Sequence, residues 1–172
     1  MLYSFLTSFI ENYTFLNVFK YLTFRTGLAV MTSLVVVFLV GGPLINIFSK
    51  KQITGPIRQD GPIDHIIKKS GTPTMGGLII IIGMISSTLL WADLTNIFVW
   101  VLVFVSLSLG VLGFVDDLLK IKFKNSTGLN SKLKFLGQLI ISIVALYILI
   151  EYSEHEYLYN LYFPFFKNLI LH

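Results

Sequence analysis

Not one cysteine occurs among the 172 residues. That excludes a disulfide framework, a thiolate nucleophile and a zinc-thiolate site in any compartment. Charge is the second scarcity: Asp, Glu, Lys and Arg together make up 13% of the chain, against ~25% in ordinary soluble domains. Hydrophobic residue types reach 55% and the mean hydropathy is +0.79, a composition that belongs to a membrane protein. The layout of a cleavable signal is not found in the first twenty residues, because no basic segment precedes an apolar core and Glu11, Asn12 and Asn17 interrupt them. Those residues are expected to be retained and to lie as one amphipathic helix in the membrane interface. No internal repeat or low-complexity tract is present.

What fills the chain instead is hydrocarbon. Residues 26–49, "TGLAVMTSLVVVFLVGGPLINIFS", contain no charge, enough to cross a ~30 Å hydrocarbon layer at ~1.5 Å per residue. A second uncharged run extends from Ser70 to Ala92 and a third from Leu94 to Val115, with only Asp93 between them. The fourth, Phe135 to Ile150, is shorter; Lys132 and Lys134 can snorkel at one end and Tyr152 can anchor the other. Backbone groups in lipid must be satisfied internally, so runs of this kind predict helices and not barrel strands. The expected fold class is all-α: a polytopic transmembrane helical protein, residues 1–172 forming a single membrane domain, with spans at about 26–48, 75–92, 95–115 and 134–151 and the interfacial helix before them.

Basic residues are unevenly shared between the two sides. Ten of the thirteen lie in residues 50–69 and 116–134, whereas the opposite side holds Asp93, Glu151, Glu154 and Glu156 with Lys20, Arg25 and Lys167. By the positive-inside rule the two lysine-rich loops are cytoplasmic and both chain ends external.

The stretch "GFVDDLLK", residues 113–120, puts Asp116 and Asp117 where the third apolar run stops. For a single aspartate an interfacial charge at a helix end is explanation enough. A pair at a helix C-terminus opposes the macrodipole and repels itself, and a cation or proton would relieve the repulsion. Adjacent helical residues sit ~100° apart, so the two can border one cleft without stacking. A magnesium site, a general base and plain interfacial charge all remain open from the pair alone. The second stretch is "KKSGTPTMGG", residues 68–77. Thr72 or Thr74 can cap a helix beginning near Met75, whose free N–H groups would favour phosphate, with Lys68 and Lys69 just before it; capping and topology alone would also account for these residues. Gly76, Gly77 and Gly83 read as small surfaces for helix packing. In "KNSTGLNSKLKF", Gly128 precedes a helix whose first turns contain Lys132 and Lys134. Carboxylates, lysines and a helix N-terminus at one membrane face suit magnesium-assisted phosphoryl transfer. His65, His155 and His172 read as solvated.

"YLTFRTGLAV" (21–30), "DGPIDH" with "KSGTPTMGG" (60–77), "GFVDDLLK" (113–120), "GLNSKLKF" (128–135) and "FPFFKN" (163–168) together resemble the N-terminal half of bacterial phospho-N-acetylmuramoyl-pentapeptide transferases, in order and along nearly the whole chain. The resemblance implies transfer of phospho-MurNAc-pentapeptide from UDP-MurNAc-pentapeptide to undecaprenyl phosphate, giving lipid I and UMP in peptidoglycan biosynthesis. It further implies a Mg2+ requirement and a multi-pass protein of the bacterial inner membrane with a cytoplasmic active face. A homodimer is compatible with it, and no nucleic-acid partner is expected. Carried over by residue, Asp116 and Asp117 match the family's paired catalytic aspartates, and Asp117 is a candidate metal ligand. Lys69 and Thr74 match positions lining the substrate cleft, and Lys120, Lys124 and Lys132 match basic residues near the phosphates. The loop before "GTPTMGG" is one residue longer than the family pattern, so Lys68 competes with Lys69 for that position. Family members are longer, and their second half supplies a further magnesium-binding aspartate and nucleotide contacts; this chain is expected to be a portion of such a protein. The alternatives are a related polyprenyl-phosphate sugar-1-phosphate transferase and a non-catalytic helical membrane module.

Overall fold

Long uncharged runs become long helices. The computed structural model describes residues 2–9, 13–50, 75–123, 128–152, 161–162 and 170–171. Its helices are α1 (Leu2–Ser8), a 3-10 helix (Thr14–Lys20), α2 (Leu22–Lys50), α3 (Gly76–Trp91), α4 (Ile97–Phe123) and α5 (Ser131–Tyr152). The fold is all-helical, as expected; beside the helices, β1 (Leu161–Tyr162) and β2 (Ile170–Leu171) make a two-residue antiparallel pairing in register Leu161 to Leu171 and Tyr162 to Ile170.

Helices α2, α4 and α5 are long and apolar enough to cross a membrane. Of the four expected spans, that at 75–92 differs: α3 has 16 residues, about 24 Å at 1.5 Å per residue, short of a ~30 Å layer. The expected interfacial helix over residues 1–20 is also corrected. It is two short pieces, α1 and the 3-10 helix, on either side of residues that lie outside the description. The second piece turns Phe19 onto Trp91, ring centroids 6.0 Å apart and stacked at 3°.

Very little is enclosed. Among the described residues the buried apolar side chains are Leu16, Met75, Ile79, Val101 and Ala145, whereas Phe38, Leu39 and Leu102 are 79%, 69% and 67% exposed. Such exposure would be a liability in water and is what lipid-facing helices require. With little hydrophobic drive between helices in lipid, close approach depends on small residues. At Gly83 of α3 an added Cβ would stand 2.6 Å from Val37 Cγ2 and 3.2 Å from the Ser33 carbonyl of α2. Gly110 of α4 meets Ile81 of α3, and Gly137 of α5 meets Leu112 of α4. Gly83 therefore behaves as expected, but Gly76 and Gly77 face open space.

These contacts make successive helices antiparallel and sort their ends. The end of α2, the start of α3, the end of α4 and the start of α5 share one end of the bundle; the start of α2, the end of α3 and the start of α4 share the other. At that second end Asp93 Oδ1 accepts hydrogen bonds from the Thr95 hydroxyl (2.7 Å) and the Thr95 N–H (3.1 Å), and Asn96 Oδ1 accepts from the Phe98 N–H (2.9 Å), closing the turn and capping α4.

Candidate active site

The apolar run of α4 stops at Val115, but the helix continues to Phe123. Asp116 and Asp117 thus lie two turns inside a helix, not at its C-terminus, and the dipole penalty expected for them falls away because it acts only within the last turn. Charged residues do not break a helix, and here they support it: Lys120 Nζ reaches Asp116 Oδ2 at 2.6 Å (i, i+4) and Asp117 Oδ1 at 3.2 Å (i, i+3).

Asp116 is buried at 5% exposure, and its partners come from three places. Besides Lys120, its Oδ1 accepts the Leu129 backbone N–H at 2.8 Å, and Lys134 Nζ of α5 stands 3.4 Å from Oδ2. The turn that brings Leu129 there needs Gly128 at φ 59°, in the left-handed region. A Cβ on Gly128 would lie 2.6 Å from Asp116 Oδ1 and 2.7 Å from Lys120 Cε, so this glycine is required by conformation and by space. Asp117 is different: its side chain is 30% exposed against 7% for Asp116, and Lys120 is its one ion-pair partner among the described residues. Two carboxylates and two ammonium groups balance, so the repulsion that seemed to ask for a bound cation is met by Lys120 and Lys134.

Beside the pair is a cavity of about 370 Å³ between α3 and α4, lined by Met75, Leu78, Ile81, Phe114, Asp116 and Asp117 among others. Its walls are hydrocarbon and its end is charged. Met75, the residue before α3, is buried at 5% exposure and adopts φ 74°, an unusual conformation for a side chain of its size. Met75 makes no side-chain cap bond there, and the Leu78 N–H of the first turn of α3 donates to the Met75 carbonyl at 3.1 Å. The expected caps Thr72 and Thr74 lie outside the described residues, as do Lys69, its competitor Lys68, and Lys124.

Of the expected site residues, then, Asp116, Asp117 and Lys120 come together. Lys132 does not join them: it is exposed, and its backbone N–H is held by Asn130 Oδ1 at 3.3 Å. The residue that reaches the pair from α5 is Lys134, which the sequence left open between phosphate binding and topology and did not place among the expected site residues. A signal existed, because Lys134 lies one turn from Gly137 and shares the face that packs on α4, whereas Lys132 is rotated well away from it. Among the described residues no group of three or more His, Cys, Asp or Glu side chains is placed to hold a metal ion. Asp117 offers one oxygen ligand of the kind Mg2+ prefers, which does not make a magnesium site.

A family model described as phospho-N-acetylmuramoyl-pentapeptide-transferase signature 1 matches residues 69–81. The chain is 56% identical over 171 residues to a protein of Pelagibacter ubique with the name phospho-N-acetylmuramoyl-pentapeptide-transferase, covering 99% of this chain and 47% of that relative. A protein of the same name from Rickettsia prowazekii is 46% identical over 172 residues, covering 99% of this chain and 47% of its own length. The chain spans about half the length of these curated relatives.

Proposed function

We propose that this chain is part of a phospho-N-acetylmuramoyl-pentapeptide transferase, the part that receives the acceptor lipid phosphate. In the proposed reaction an oxygen of undecaprenyl phosphate attacks the sugar-linked phosphorus of UDP-MurNAc-pentapeptide. The P–O bond to the uridine-bearing phosphate breaks, UMP leaves, and lipid I carries the new diphosphate. What supports this reading is one juxtaposition: the signature segment 69–81 runs directly into the start of α3, and the start of α3 faces Asp116 and Asp117 across a single cavity.

The residues divide the work. Hydrocarbon walls along α3 and α4 accept the first isoprene units, which brings the lipid phosphate to the charged end. Asp117, the more open carboxylate, takes the proton of a singly ionised lipid phosphate or keeps it off, leaving the attacking oxygen fully charged. Lys120 sits between the two aspartates and is the cation closest to the incoming phosphate. Asp116 holds Lys120, Lys134 and the Leu129 amide in fixed places and so positions the others. Lys69 and Thr74, at the start of the signature, are assigned to the nucleotide side of the cleft, with Lys124 and Lys132 as further phosphate-attracting charges. Mg2+ would supply charge neutralisation on the diphosphate, with Asp117 as one ligand and the rest from outside the described residues.

Topology agrees with this placement. Lys50, Lys120, Lys122, Lys132 and Lys134 all lie at the end of the bundle that carries the aspartates, which by the positive-inside rule supports a cytoplasmic position for that end, on the side where nucleotide-linked precursors are available. The test is release of UMP by the full-length protein in magnesium-containing buffer. UMP is expected from UDP-MurNAc-pentapeptide only when undecaprenyl phosphate is present, and not from UDP-N-acetylglucosamine. Release from the simpler nucleotide sugar alone would move the protein to the wider class of polyprenyl-phosphate sugar-1-phosphate transferases.

A further inference from the structure

A second cavity, of about 280 Å³, lies at the opposite end of the bundle, between the first turn of α2, the last turn of α3 and the start of α4. Its lining includes Arg25, Thr26, Thr88, Trp91, Asp93 and Asn96. Among the described residues the Nε of Arg25 and the indole Nε1 of Trp91 are both buried without a hydrogen-bond acceptor, and no carboxylate stands within ion-pair distance of Arg25. The guanidinium lies over the Tyr3 ring, 4.1 Å from its centroid, and its charge also acts on Asp93 through space. Buried donors without acceptors are rare in folded proteins, and two at one cavity ask for an acceptor supplied from outside the chain. Trp91 cannot readily turn its N–H toward water, because its ring is stacked on Phe19. Asp93, in the same lining, commits Oδ1 to Thr95; among the described residues Oδ2 makes no such bond. Those Thr95 hydrogen bonds, the hydroxyl's first, hold the Asp93 carboxyl below the usual carboxylate range, so it is ionised at neutral pH.

The position supplies the ligand. Helix ends of membrane-crossing segments stand at the lipid headgroup layer, and arginine and indole N–H groups are good donors to phosphate oxygens there. Donors for a phosphodiester and a carboxylate for a cation, lining one space this small, match a zwitterion better than a simple anion. Leu22, Ala29 and Val99, also in the lining, offer the hydrocarbon surface that a free ion would not use. We propose that this cavity binds the headgroup of an amino-phospholipid, its phosphodiester on Arg25 and Trp91 and its ammonium group on Asp93. The site is independent of the transfer reaction, since it lies at the other end of α3 and α4.

The test uses the delipidated full-length protein in detergent, with lipid retention followed by native mass spectrometry and Tm recorded in parallel. Phosphatidylethanolamine is expected to be retained and to raise Tm, inorganic phosphate to do neither, and phosphatidylglycerol to bind about tenfold more weakly. Arg25→Met and Trp91→Phe should each weaken phosphatidylethanolamine binding by about tenfold, the loss of one charge-assisted or buried hydrogen bond. Trp91→Phe keeps the ring that stacks on Phe19, so it serves even if the arginine variant misfolds. Asp93→Asn should retain both lipids and abolish the preference between them. Equal binding of the two lipids by the unaltered protein, undiminished phosphatidylethanolamine binding by Trp91→Phe, or a Tm rise with phosphate alone would overturn the assignment.

Discussion

Asp117→Asn, made in the full-length protein that carries this chain, should lower lipid I formation by roughly 10²–10⁴-fold, the usual contribution of a positioned acid or base, with insertion and thermal stability unchanged. The amide keeps the shape of the side chain and can still accept a hydrogen bond from Lys120, so the 3.2 Å contact need not be lost. What it cannot do is take a proton or balance charge beside a phosphate. Asp116→Asn should cost as much activity by a different route. Its amide can still accept the Leu129 N–H at the Oδ1 position, but the charge that gathers Lys120 and Lys134 is gone, so a fall in Tm should accompany the fall in rate. Comparing product formation and Tm for the two variants separates a residue that meets substrate from one that holds the others. Near-normal lipid I formation by both would return the pair to the role of interfacial charge.

Gly128→Ala is the second large effect. Left-handed backbone costs a non-glycine residue about 1–2 kcal/mol, which a membrane helix bundle can absorb. The more damaging consequence is spatial, since the new methyl would stand 2.6 Å from Asp116 Oδ1 and 2.7 Å from Lys120 Cε. Something must move, and the atoms in its way are those of the site. A displacement of this order can cost roughly 10²-fold in rate, and we expect that loss in kcat with only a few degrees in Tm. Full activity in Gly128→Ala would mean that the Leu129 amide and Asp116 can separate without consequence.

The parts of this molecule that were legible in its sequence are those governed by local rules. Uncharged runs predict α2, α4 and α5 because hydrocarbon length is a property of a segment alone. Their ends are less legible: α2 starts at Leu22 and α4 continues to Phe123, each including charges taken as boundaries, since a charged side chain does not end a helix and Lys120 pairs with Asp116 and Asp117 one turn back. The Asp pair was visible through its odd placement, although the helix-dipole reason for finding it odd does not survive an α4 that runs on past it. What holds Asp116 could not be read from spacing. Leu129 and Lys134 are 13 and 18 residues away, brought back by a left-handed glycine and by the packing of Gly137 on Leu112. The cavity likewise needs α3 and α4 side by side, a relation that no run of hydrophobic residues encodes.

The proposal that the acceptor reaches the aspartates between α3 and α4 is tested most directly by photolabelling the full-length protein with a polyprenyl phosphate bearing a photoreactive group on its first isoprene unit. Crosslinks are expected within residues 75–81 and 107–117, on side chains such as Leu78, Ile81 and Phe114 that line the cavity, and excess undecaprenyl phosphate should suppress them. Crosslinks confined to α2 or α5 and indifferent to the competitor would contradict it.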